Sequence, residues 1–142
     1  MENIDVAKKV FLEIQNEFPK IVMELNENDN SVELNMDIQK QTGIKHKINL
    51  NLQNNDELHF LVSNFWCEWF PCTEASVVES YKNSVIGYIN GSYRILEHFK
   101  GKSPYKAELQ SPNGESWSTI KKWGQLSWPI SFNRSKVVIK NA

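Results

Sequence analysis

A chain of 142 residues, 40% hydrophobic and 23% charged, has the length and apolar content of one ordinary folded domain. Its formal net charge of −1 excludes a protein that holds nucleic acid through overall charge. The charge is divided, however: residues 1–71 hold 6 Lys and Arg against 12 Asp and Glu, and residues 72–142 hold 10 against 5.

The chain opens on Val6, Val10, Ile14 and Phe18, with Ala7 and Phe11 beside them, a helical stripe that leaves Lys8, Lys9, Glu13 and Glu17 for water. Asp5 is the expected N-cap, and Pro19 stops the helix. This acidic, amphipathic start does not read as a signal peptide, and no stretch approaches the roughly 18 apolar residues of a membrane span. A cytoplasmic protein with no membrane partner is the expectation. Cys67 and Cys72 are then expected to be reduced thiols.

After Pro19 the period changes to two. Strands are expected over 21–26, 31–39 and 44–52, and a fourth runs from Leu58 on through Phe70. Keeping every apolar residue on one face suggests a register. Met36 faces Ile48 and Leu34 faces Leu50; Leu52 then faces Leu58, Leu50 faces Phe60, Ile48 faces Val62, and His46 faces Asn64. The opposite face is polar, with Glu24 beside Glu33, Asp37 beside Lys47 and Asn51 beside His59.

Pro71 ends the fourth strand, and a long helix is expected over 73–100, capped by Thr73, closed by Gly101 and carrying Gly87 and Gly91 within it. The two glycines leave room for close packing, within the chain or against a second copy in a homodimer. Extended segments follow over 105–110 and 115–122 around the turn chemistry of Ser111-Pro112-Asn113-Gly114, and again over 130–132 and 136–140. The whole reads as a single α+β domain over residues 1–142. An antiparallel meander packs on two helices in two layers, in the order helix, four strands, helix, two or three strands. That order resembles small α+β binding proteins such as secretion chaperones and toxin-immunity proteins, and the resemblance implies a non-catalytic binder of another protein.

Three places carry candidate chemistry. His46 and Asn64, paired at the rim of an apolar face with Trp66 nearby, form a candidate ligand site under the long helix, for a binder or an enzyme. The plainer reading is a structural hydrogen bond. Trp117, Trp123 and Trp128, interleaved with Lys121, Lys122, Arg134, Lys136 and Lys140, are candidate partner anchors, with single-stranded nucleic acid as a third reading. Cys72 precedes a helix, but neither thiol has metal-ligand spacing or a nameable base, so packing is the expected role and no metal or cofactor is expected. No phosphate loop or hydrolase motif is present, and another protein is the expected partner.

Overall fold

The computed structural model describes residues 2–124 and 133–141. Helix α1 (Asn3–Glu17) starts two residues before the expected cap, with Glu2 at the N-cap position and Asp5 inside the first turn. Its buried residues, Ala7, Val10, Phe11 and Ile14, are those of the apolar stripe. Five antiparallel strands follow: β1 (Glu24–Asn26), β2 (Leu34–Ile38), β3 (Ile48–Gln53), β4 (Glu57–Val62) and β5 (Phe65–Trp69), in spatial order β1-β2-β3-β4-β5. Helix α2 (Ala75–Ile89) packs with α1 over this sheet. A second antiparallel sheet contains β6 (Arg94–Lys100), β7 (Ser103–Asn113), β8 (Ser116–Gly124) and β9 (Arg134–Ile139), in spatial order β8-β7-β6-β9. The α+β class stands, with more strand and less helix than expected.

Two expectations fail here for definite reasons. The fourth strand does not run on to Phe70; it reverses at Ser63-Asn64, and Val62 pairs with Phe65. Ser63 takes φ 53, the left-handed conformation that such a tight turn requires. The long helix stops at Asn90, because Gly91 takes φ 84 and its N–H turns back to the Tyr88 carbonyl. The remainder of the expected helix is β6. Gly87 is the close-packing glycine: a Cβ there would stand 2.5 Å from the ring of Tyr93, so the approach is made within the chain.

The β3–β4 register is as expected, with Leu52 opposite Leu58, Leu50 opposite Phe60 and Ile48 opposite Val62. The β2–β3 register is displaced by two residues: Leu34 faces Leu52, Met36 faces Leu50 and Ile38 faces Ile48. A slip of two leaves every side chain on its face, so apolar patterning cannot exclude it. On the polar face Glu24 lies opposite Asp37 rather than Glu33, Asp37 opposite Asn49, and Asn51 opposite His59. An amide chain fastens this face. Asn49 Nδ2 donates to Asn35 (2.8 Å) and Asp37 (2.9 Å), Asn51 to Asn49 (2.7 Å), and Gln53 to Asn51 (3.1 Å).

The inner face is closed by aromatic rings. Phe60 meets Phe65 at 5.6 Å and Tyr88 at 5.8 Å edge-to-face, and Trp69 meets Tyr81 at 5.5 Å. Truncating a fully buried member such as Leu50 or Phe60 costs about 2–5 kcal/mol. The expected hairpin over 105–122 is the β7–β8 pair, turning at Gly114-Glu115 with Gly114 at φ 63. The stretch over 136–140 falls in β9, whereas 130–132 lies outside the described residues. Among the described residues, no helix is long and apolar enough to cross a membrane.

Candidate functional site

His46 and Asn64 do not form the expected pair. The β3–β4 ladder ends at Ile48 and Val62, His46 lies exposed before β3, and Asn64 lies exposed in the turn. The backbone of Asn64 is taken by the second sheet instead. Its N–H donates to Glu97 Oε2 at 2.6 Å, and its carbonyl accepts the Trp123 indole N–H at 2.8 Å. Asn64 therefore sits where β5 meets β8, not under α2.

That arrangement brings Trp66 and Trp123 to one cleft, with Asn64 and Glu68 completing its lining, and the cavity measures about 320 Å³. Trp66 is 54% exposed, while Trp123 is half-buried. Both indoles are held by their single donor. Trp66 Nε1 donates to His59 Nδ1 at 2.7 Å, so the other imidazole nitrogen carries the proton and donates to Glu57 at 3.0 Å. Glu57 is held below the ordinary carboxylate value by hydrogen bonds from Asn54 first and His59 second. Alternation alone places Trp66 and Glu68 on the polar face of β5, opposite Leu61 and His59. Trp123 comes from the β8 residue opposite Ala107.

A second, broader feature is the outer face of the second sheet. Cross-strand partners place Arg94, Lys100, Lys106, Lys122, Arg134 and Lys136 on that face, and Lys140 reaches it over Trp117. The one carboxylate among them is Glu108. It accepts from His98 Nε2 at 2.6 Å and from the Thr119 hydroxyl at 2.8 Å. Burial works to raise the Glu108 carboxyl, but those two hydrogen bonds and the charge of Lys106 outweigh it and hold it below the ordinary value. The aromatic rings here already carry cations. Arg94 lies 4.3 Å and Lys140 Nζ 5.6 Å from the Trp117 centroid, and Arg134 lies 5.5 Å from that of Tyr105.

The outer face of the first sheet has the opposite sign. Glu24, Asp37, Glu57 and Glu68 lie on it, and no strand residue of that face is Lys or Arg. Sequence composition carries this division, but only the pairing assigns the charges to faces.

The three expected anchors are separated. Trp117 is half-buried beneath its cations, Trp123 belongs to the cleft, and Trp128 lies outside the described residues. Both thiols are buried. Burial pushes Cys67 up to about 12, against a smaller opposing pull from Lys121; burial and then Asp56 raise Cys72. No group of three His, Cys, Asp or Glu with metal-binding geometry occurs among the described residues.

Comparison of the chain with protein-family models, with curated proteins and with solved structures finds no match.

Proposed function

We propose that the chain is a non-catalytic binding module that engages an acidic surface of another protein through the outer face of its second sheet. The observation that carries this reading is the charge of that face, with seven cations arrayed around one satisfied carboxylate. A cationic face of this kind steers a complementary partner into encounter, over a range of about 8 Å at physiological salt. Sheet pleating spaces same-face side chains roughly 7 Å apart along a strand and about 5 Å between strands, which suits a broad acidic surface rather than a point ligand. Single-stranded nucleic acid fits less well. Base stacking needs an uncovered aromatic face, and Trp117 and Tyr105 hold the protein's own cations. The His98–Glu108–Thr119 cluster does not make a general base: the threonine hydroxyl donates a hydrogen bond to a carboxylate held below its ordinary value, which is a weak base.

The test is affinity capture with the tagged chain at low salt, beside a Lys100→Glu, Lys122→Glu, Lys136→Glu variant. All three lysines are exposed, so the fold tolerates the changes. The expected result is an acidic protein captured by the parent chain, lost from the variant and retained after nuclease treatment. Equal capture by both chains, or loss on nuclease treatment, overturns the reading.

A further inference from the structure

Independently of the cationic face, we infer that the cleft between β5 and β8 binds an organic cation, an alkylammonium or guanidinium group, between Trp66 and Trp123 with Glu68 as its counter-charge. Three observations converge on this. Indole rings offer the strongest aromatic attraction for a cation, and two of them line this one cavity. Both are oriented in advance, because each indole N–H is spent on a hydrogen bond, Trp66 on His59 and Trp123 on Asn64. Ordering these walls therefore costs little when the ligand arrives. The charge at the cleft is Glu68, half-buried and on the acidic face of the first sheet, and it makes no ion pair among the described residues. Lys121, two residues before Trp123, is committed elsewhere, its Nζ lying 4.8 Å from the centroid of the Trp69 ring.

A cavity of about 320 Å³ admits a trimethylammonium or guanidinium head and excludes a folded peptide segment. The recognising chemistry is the same for a free small cation and for the tip of a partner's Lys or Arg, and the two are separable by experiment. Indole fluorescence is followed on titration with choline, with N-acetyl-arginine methylamide, and with the neutral choline isostere 3,3-dimethyl-1-butanol, all at matched ionic strength. The expected result is a saturable change with at least one cation and none with the neutral alcohol. A response to choline alone assigns a small quaternary ammonium, and a response to the arginine derivative alone assigns a partner side chain. Trp66→Ala and Glu68→Gln are each expected to weaken the response by about fivefold or more. Both sites are at the surface, and circular dichroism checks that the variants fold. The inference is overturned by the absence of a saturable change with either cation, by an equal response to the neutral alcohol, or by undiminished binding to folded Trp66→Ala and Glu68→Gln.

Discussion

The backbone N–H of Asn64 points at the carboxylate of Glu97 across 2.6 Å, and this bond ties the tip of the β4–β5 hairpin to the second sheet. Glu97 is 2% exposed and faces inward, between Ala107 and Val137. Its charge is also felt by Tyr88, whose hydroxyl is pushed up to about 12 by burial first and by Glu97 second. Glu97→Ala removes the acceptor and leaves a gap, at an expected cost of about 2–4 kcal/mol in urea unfolding. Glu97→Gln keeps one acceptor oxygen and is expected to lose about half as much. Equal losses for the two variants would mean that the charge of the carboxylate, not packing, makes the contribution.

Gly87→Ala sets two effects against each other. Alanine is favoured in a helix interior by about 1 kcal/mol, but its methyl would stand 2.5 Å from the Tyr93 ring. Tyr93 cannot simply withdraw, because its backbone N–H donates to the Gly87 carbonyl at 2.8 Å. The steric term is expected to win, with a net loss of about 1–2 kcal/mol. In a Tyr93→Ala background the same substitution is expected to be neutral or stabilising, which a double-mutant cycle measures. A Gly87→Ala effect of the same sign and size in both backgrounds would remove Tyr93 from the explanation.

Both cysteines should be inert while the chain is folded. Burial raises each thiol, so little of the reactive thiolate exists near neutral pH. Ellman's reagent is expected to modify them only as the protein unfolds, at a rate that is independent of reagent concentration once reagent is in excess. Cys67→Ser places a hydroxyl in an apolar site and is expected to cost about 1–3 kcal/mol. Fast stoichiometric labelling of either cysteine in the native state would contradict the burial argument.

Two carboxylates make stability depend on acid. Glu57 and Glu108 both have folded values below the ordinary 4.5. A depressed carboxyl contributes fully above its unfolded value and loses that contribution as the pH falls through the lower folded one. The stability that these two groups supply is therefore level from about pH 7 to about pH 5.5 and declines below about pH 4.5. Glu108→Gln is expected to be less stable than the parent at neutral pH, and the gap should narrow as acid is added. Parallel stability curves for parent and variant would exclude Glu108 as a contributor.

The faces of the first sheet were legible in the sequence because its apolar residues keep a strict phase, but phase does not fix register, and the β2–β3 pairing lies two residues from the one that phase suggests. Inward residues of β4 are Leu58, Phe60 and Val62, and those of β5 are Phe65, Cys67 and Trp69. A two-residue turn switches the inward set from even to odd numbers, and that switch in parity was the available sign of a hairpin. The sign is faint because the turn, Ser63-Asn64, holds neither Gly nor Pro. In β6 the inward residues are Ile95, Glu97 and Phe99, and a glutamate in the apolar series hides the period of two. Asn90-Gly91 was a regular helix stop, masked by apolar residues that continued beyond it. The cleft could not be read at all, since Trp66 and Trp123 are 57 positions apart and meet only because the second sheet docks on the Asn64 turn.

Negative charge on the outer face of one sheet and positive charge on that of the other give the molecule two faces of opposite sign despite a net charge of only −1. Molecules of this kind attract one another end to end when little electrolyte is present, since a near-zero net charge supplies almost no mutual repulsion. Added salt weakens that attraction before it weakens anything inside the fold. The protein should therefore dissolve better in moderate sodium chloride than in dilute buffer, and it should bind weakly to both anion- and cation-exchange resins at the same pH.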